Sequence, residues 1–335
     1  MILFPTLFLR NSKNISADPN PNSVLHQYTR GFGHPRLIQA LSKLYGRLLN
    51  HPVDPLKEVL VTDGAYEALF TSIMGHINPG DEVIIIEPYF DCYEPKVKLA
   101  GGTPVFISLA PTKKDGHITS ADWKLNPEEL SAAFTPKTKA IIFNNPNNPL
   151  GKVYKRDEIQ MIADLCIKHN VLCISDDVYE HMVFDDNEMI RMATLPGMWE
   201  RTITIGSAGK TFSVTGWKLG WALGPEHLIR NCQIPREGDG AKLIAQNATS
   251  SQFRRIFKPK RDYIARVLKD IGMNPVIPEG GYFILADWSS FADKVDLMRI
   301  IKHIGESYIR LCFIKHNDSL QKAEEILKAW KKELD

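Results

Sequence analysis

Between Thr202 and Trp221 the chain reads TITIGSAGKTFSVTGWKLGW, which holds a hydroxyl and two amines at close spacing: Ser207, Lys210 and Lys218. Lysine prefers helix surfaces, and a tight glycine-flanked turn after a buried strand is a poor place for it on structural grounds. The position makes sense if the amine does chemistry. A lysine in such a pocket loses its proton readily and forms a Schiff base with a carbonyl. Ser207 and Lys218 would then hold an anionic group of the same ligand. The alternative for Lys210 is a solvated loop lysine. Further residues that could do chemistry lie at or within other predicted strands. Asp176 and Asp177 follow the run Val171–Ser175, Asn148 lies in a turn rich in asparagine and proline, and Arg310 interrupts an apolar run. Asp176 reads either as a ligand contact or as a capping residue. Asn148 reads either as an amide aimed at a ligand or as part of a turn. Arginine in an apolar strand is costly unless paired, so Arg310 should have an anionic partner.

Ser207-Ala208-Gly209-Lys210 also matches S-x-x-K, the nucleophile motif of serine β-lactamases and penicillin-binding proteins. That chemistry needs S-D-N and K-T-G elements as well. Neither occurs; the nearest is Ser175-Asp176-Asp177.

Strands and helices alternate around these residues. Thr202–Ile205 is β-branched and reads as a strand, and Leu219–Leu223 is a second apolar run. Glu58–Thr62, Asp81–Glu87, Thr103–Leu109, Lys139–Phe143 and Val171–Ser175 are further predicted strands. Leu37, Leu41, Leu44 and Leu48 recur at helical spacing. Helices are predicted from Asp63 to about His76, from Glu94 to Ala100, from Pro127 (capped by Asn126) and from Arg156 to His169. The alternation from 58 to 224 predicts a mainly parallel sheet covered on both faces. Asp63-Gly64-Ala65-Tyr66 makes a strand, a glycine turn and a helix N-terminus, a cradle suited to phosphate because backbone N–H groups point outward there. In the amide-rich turn, alternating prolines end the strand sharply and should point the side-chain amides outward.

At 335 residues the chain holds one large domain or two ordinary ones. It is 44% hydrophobic and 24% charged, the balance of a soluble globular protein, and its net charge of +2 argues against nucleic acid as a partner. No apolar stretch is long enough to span a bilayer. The five cysteines are scattered, with no C-x-x-C, so a reducing compartment and no structural zinc are expected. The opening MILFPTLFLR has no basic leader and no acid precedes Asp18. A cytoplasmic protein is expected, with a mitochondrial presequence as the alternative.

The segment GMWERTITIGSAGKTFSVTGWKLGW resembles the lysine segment of fold-type I aminotransferases that use pyridoxal 5'-phosphate (PLP). It is most similar to the kynurenine aminotransferase / glutamine transaminase K / cysteine-S-conjugate β-lyase group. The resemblance runs with gaps from about Leu25 to the C-terminus. It implies an α/β fold: a large domain with a mainly parallel, seven-stranded-type sheet between helices, and a shortened α+β small domain. It implies PLP as cofactor and Lys210 as the lysine that joins it. The phosphate would lie on the backbone of Gly64 and Ala65, with Tyr66, Ser207 and Lys218 around it. Phe90 would stack on the pyridine ring. Asp176 would face the ring nitrogen. Tyr179 and Asn148 would bond the O3' oxygen, and Asn148 with Arg310 would hold the substrate carboxylate. Tyr28, in HQYTRGFGHP, would reach the phosphate of the neighbouring subunit of a homodimer.

The chain also departs from that pattern. Asp63 stands where a small apolar residue is usual, and an acid there is unfavourable if it points inward. Asp177 replaces the usual glutamate. The segment NCQIPREGDGAKLIAQNATSSQFRRIF, shorter and weakly periodic, replaces a long helical one and reads as an irregular loop. The match resumes at Ile277–Ile284, read as a strand of the small domain, breaks after Trp288 and recovers at Tyr308–Lys315. The glycine segment expected before Tyr28 is absent. The boundaries implied are a divergent segment 1–23, a large domain 24–232, a linker 233–259 and a small domain 260–335, with 24–330 together as one aminotransferase unit. Two functions follow. One is transamination of an aromatic or sulfur-containing amino acid with a 2-oxo acid, kynurenine foremost, with possible cysteine-S-conjugate β-lyase activity. The other is a catalytically impaired PLP binder or dimerisation partner.

Overall fold

A computed structural model describes residues 28–113, 118–233, 250–294, 308–313 and 317–334. The expectations for the segment 1–23, for His26, for 234–249 and for 295–307 lie outside the described residues. In chain order the main elements are α1 (Pro35–Leu48), β1 (Val59–Asp63), α2 (Ala65–Met74), β2 (Glu82–Glu87), α3 (Tyr93–Leu99) and β3 (Thr103–Ser108). After the short strands β4 (Ala110–Pro111) and β5 (Trp123–Lys124) come α4 (Pro127–Ala132), β6 (Thr138–Asn144), α5 (Arg156–His169) and β7 (Leu172–Asp176). Next are β8 (Thr202–Ser207), α6 (Ala208–Thr211), β9 (Leu219–Leu223), α7 (Glu226–Gln233) and α8 (Ser250–Asp270). The last are β10 (Asn274–Val276), β11 (Phe283–Asp287), β12 (Tyr308–Cys312) and α9 (Asn317–Leu334).

Seven strands form the central sheet in the order β1-β9-β8-β7-β6-β2-β3. The run from β8 to β3 is parallel throughout, and β9 is antiparallel to both of its neighbours. Parallel strands are buried on both faces, which is why these read as continuous apolar runs. In β2, Val83 and Ile85 pack on one face with α2 and α3. Ile84 and Ile86 pack on the other with α4 and α5. The α1 residues Leu37, Ile38, Leu41 and Tyr45 cover β1 and β9.

This topology fixes one edge as the place for a site. Every strand of the sheet except β9 ends at the same edge, and β9 begins there. The chain leaves β1 at Gly64, β2 toward Phe90, β6 toward Asn148, β7 at Asp176 and β8 at Ser207, and it enters β9 from Lys218. Ligands of open α/β sheets bind outside the carboxyl ends of the strands.

The second sheet, β10-β11-β12, is antiparallel and packs with α8 and α9. Two expectations are corrected here. The segment read as an irregular loop is helical in its last part, from Ser250 to Phe257, as the start of α8, which continues through Pro259. Its stripe of Phe257, Ile264, Ala265 and Leu268 is buried, a helical period that the polar residues between them hide. Ile277–Tyr282 is not strand; β11 starts at Phe283. The residues before it form a strap hydrogen-bonded to loops around the central sheet instead. Ser120 N–H donates to Ile277 O (2.9 Å), Gly280 N–H to Gly151 O (2.8 Å) and Gly281 N–H to Met182 O (2.8 Å).

Backbone contact at the site edge leaves no room for side chains. A Cβ on Gly220 would lie 2.4 Å from Ala65 N and from Gly64 C. Gly220→Ala must therefore part β9 from the start of α2. Urea unfolding should show a loss of about 1–3 kcal/mol. Gly216→Ala, where nothing lies within 4 Å, should stay within about 0.5 kcal/mol of the parent.

Candidate functional site

Asp176 ends β7 and is only 3% exposed. A buried carboxylate needs hydrogen bonds. Tyr93 O–H donates to Oδ2 at 2.6 Å and Val178 N–H to Oδ1 at 3.4 Å. Burial pushes this carboxyl above its ordinary range, while Tyr93, the Val178 amide and the charges of Lys96 and Lys210 pull it part of the way back. A cation brought against Asp176 would complete that compensation. The same burial, reinforced by the adjacent Asp176, drives the Tyr93 hydroxyl well up, so it stays a neutral donor.

Lys210 lies in α6, the single helical turn that follows β8. Its Nζ donates to the Tyr282 hydroxyl at 2.6 Å and stands 5.9 Å from the centre of the Tyr179 ring. Among the described residues no carboxylate closes an ion pair on it. Tyr179 is buried and meets Tyr282 edge to face, with centroids 5.0 Å apart. Burial, then Tyr282 and Asp176, raise its hydroxyl well above the ordinary phenol, while Arg310 acts in the opposite sense.

Asn148 and Arg310 meet directly. Arg310 Nη1 donates to Asn148 Oδ1 at 3.0 Å, and the guanidinium lies 4.3 Å above the Phe283 ring. This corrects two expectations. Arg310 is exposed rather than buried, and within the chain an amide oxygen and an aromatic face hold it, which leaves the expected anionic partner to a ligand. Its position is affordable because the side chain is not buried. The other amides of the turn do not point outward. Asn144 accepts from Asn148 N–H (2.6 Å) and donates to Asp176 O (2.7 Å), and Asn147 donates to Pro88 O (3.1 Å). They fasten the ends of β6, β7 and β2 together, and Asn148 alone of the four has its side chain on Arg310.

Gly64 precedes α2 with a positive φ of 74°, the region glycine favours, and no side chain caps that ten-residue helix. The backbone of Lys218, in the left-handed conformation, packs beside it. An uncapped helix N-terminus with a lysine entering next to it suits an anionic group. Ser207 is buried at the end of β8. Asp63 is exposed and its N–H is taken by the Glu67 carboxylate. Phe90 is half-buried, edge-on to Tyr93 at 5.9 Å. Tyr66 is 60% exposed in the first turn of α2, beside Ala65, and Tyr28 is fully exposed.

The sequence reading missed several residues of this region. Lys96 is buried, donates to Tyr66 O (2.7 Å) and to Cys92 Sγ (3.3 Å), and lies 3.3 Å from the Tyr66 ring centre. Burial lowers its pKa, against the opposing pull of Cys92 and Asp176. Beneath Asp177, Glu180 receives two bonds from Arg191 (3.0 and 2.7 Å) and one from Tyr45, whose oxygen in turn accepts from Trp221 Nε1 (2.9 Å). Burial opposes the Glu180 charge, but Arg191, His181 and Tyr45 outweigh it and hold the carboxyl low. Lysine on an apolar helix face was the available signal for Lys96. Nothing local marks Tyr45 or Tyr93.

The residues present fit PLP. A buried acid faces a lysine, an uncapped helix N-terminus carries a neighbouring cation, and an arginine has one side left for a carboxylate. No group of residues able to hold a metal ion occurs among the described residues, and no helix among them is long and apolar enough to cross a membrane.

The chain is similar to known proteins over most of its length. A family model described as aminotransferase class I and II matches residues 13–304. Kynurenine–oxoglutarate transaminase 3 of Mus musculus is 47% identical over 356 residues, covering 91% of this chain and 78% of that protein. Kynurenine–oxoglutarate transaminase 1 of Homo sapiens is 42% identical over 364 residues, covering 93% and 86%. Among solved structures, N-succinyldiaminopimelate aminotransferase from Mycobacterium tuberculosis superposes with a TM-score of 0.83 at 32% identity, covering 97% and 90%.

Asp177 gives a pH test of the site's floor. It accepts from Ser175 (2.7 Å), its Oδ2 has no partner, and burial holds its carboxyl well above the ordinary 3.8. A carboxyl raised in the folded state loses stability as pH climbs through the unfolded value toward the folded one. Asp177→Asn should therefore melt higher than the parent above about pH 4, by a margin that grows toward neutrality. A margin that shrinks with rising pH would contradict this.

Proposed function

The chain belongs to the aminotransferase class I and II family, and from that premise we propose that it is a PLP-dependent enzyme that moves the amino group of L-kynurenine or a related aromatic amino acid to a 2-oxo acid. The observation that carries this reading is the convergence of Lys210, Asp176, Asn148 and Arg310 on one edge of the sheet. The 42–47% identity to kynurenine–oxoglutarate transaminases supports the substrate. No observation favours a non-catalytic protein.

When bound, PLP supplies a carbonyl that condenses with amines and a ring that takes up the electrons left when Cα loses its proton. The chain's own residues do the rest. Asp176 would keep a proton on the ring nitrogen, and the buried Tyr93 hydroxyl keeps Asp176 aimed. Gly64, Ala65, Tyr66, Ser207 and Lys218 would hold the phosphate, Phe90 the ring, and Tyr179 and Asn148 the O3' oxygen. Arg310 binds the substrate carboxylate, for which Asn148 and Phe283 already orient the guanidinium. Lys210 Nζ takes the proton from the substrate Cα. A substrate with a sulfur leaving group on Cβ could eliminate it after the same proton loss, which extends the proposal to cysteine-S-conjugate β-lyase activity.

The exposure of Tyr28, Tyr66 and Trp217 supports a homodimer in which Tyr28 serves the neighbouring site. The five free cysteines fit a reducing compartment, and we assign the protein to the cytoplasm. A large domain 24–232 and a small domain to 335 remain our division, with the linker ending where α8 begins.

Turnover of L-kynurenine with 2-oxoglutarate tests the function. The parent should turn over. Lys210→Ala should lose about a hundredfold or more in kcat. Arg310→Gln should raise KM for the amino acid about 10- to 100-fold, as the loss of a charged hydrogen-bond pair predicts. Turnover of non-aromatic amino acids but of neither kynurenine nor another aromatic one would overturn the substrate assignment.

A further inference from the structure

The strap Ile277–Tyr282 ends in Tyr282, and Phe283 opens β11; the two rings meet the two halves of the site. Tyr282 is only 7% exposed. Its hydroxyl accepts from Lys210 Nζ at 2.6 Å, its ring sits edge to face with Tyr179 at 5.0 Å, and it lies 4.6 Å from the Phe283 ring. Phe283 in turn lies under Arg310. The strap has little freedom. Its backbone is bonded to the loop at Ser120, to Gly151 and to Met182, and Phe313 N–H donates to Tyr282 O (3.1 Å). A Cβ on Gly280 would lie 2.8 Å from the Pro146 side chain. So the Tyr282 hydroxyl is fixed in place by loops around the central sheet although the residue leads into a strand of the second sheet.

A lysine that moves a proton has a four-carbon stem and many rotamers. Restricting it costs entropy, and a small misplacement of a reacting group slows a reaction strongly. Among the described residues, Tyr282 is the group that bonds the amine. We propose that Tyr282 is a positioning residue for Lys210, holding its ε-amino group at the mouth of the site whenever that amine is not bonded to a carbonyl. Asp176 and Tyr179 then serve the cofactor and Arg310 the substrate, while Tyr282 acts on the lysine. The proposal deepens the transaminase reading and rests on it for its kinetic consequence, but not for its structural one.

The test is Tyr282→Phe in the full chain, which keeps the ring and its packing and removes the hydroxyl. With PLP and kynurenine, kcat should fall about 10- to 100-fold while KM stays within about twofold, because the carboxylate contacts are untouched. In the cofactor-free protein, carbamylation of Lys210 by cyanate, read by peptide mapping, should quicken about fivefold, the size of one net hydrogen bond. Tyr282→His, which returns a ring acceptor, should slow that labelling again, and it serves as the comparison if the phenylalanine variant folds poorly. Unchanged kcat together with unchanged labelling of Lys210 would overturn the proposal, as would labelling that the histidine variant does not slow. The cyanate readout needs no turnover. An inactive parent would therefore sink the transaminase reading while leaving the Tyr282 assignment to be decided by labelling.

Discussion

A carboxylate buried at the end of the central strand sets the terms for everything around it. Asp176 cannot remain there without hydrogen bonds and nearby positive charge, because a solitary buried charge is costly. The structure meets that need from several directions. Tyr93 and the charge of Lys96 come from α3, the Val178 amide from the turn after β7, and the charge of Lys210 from α6 after β8. The compensation is incomplete, since burial still outweighs it. That remainder is what makes the position suited to a cationic ring nitrogen. The same logic explains why Tyr93, Tyr179 and Tyr282 gather there. Phenols give and accept hydrogen bonds while adding no charge near neutral pH.

The sheet supplies the geometry. Because β9 alone runs against its companions, its beginning, with Lys218, joins the endings of β1, β2, β6, β7 and β8. Tight backbone contact between β9 and α2 at Gly220 and Gly64 brings the lysine backbone against the helix N-terminus. The asparagine turn after β6 acts as a fastening between strands, with Asn144 and Asn147 spent on structure and Asn148 kept for Arg310. Loops thus carry the chemistry while buried strands fix where the loops begin.

Much of this was legible in the chain itself. The helix Arg156–His169 and the strand Leu219–Leu223 lie where their residues predict, because periodicity and composition agree over their whole length. Asp176 and Lys210 could be placed at strand exits for the same reason. The partners of those residues could not. Lys210 and Tyr282 are 72 positions apart, Tyr93 and Asp176 are 83 apart, and Tyr45 and Glu180 are 135 apart. No local pattern encodes such pairs. Arg310 misled because burial was inferred from apolar neighbours, whereas β12 is only partly covered. The start of α8 misled because lysines, arginines and Pro259 dilute an apolar stripe that only the packed structure makes plain.

The account stands on Lys210 being the amine that the assembled site presents to a carbonyl. The direct measurement is the visible absorption spectrum of the purified chain with added PLP, before and after borohydride, followed by a peptide map. A reducible band, with the reduced cofactor fixed on Lys210, is the predicted result. No band, or label spread over surface lysines, would mean that these side chains share an edge of the sheet without forming the site described.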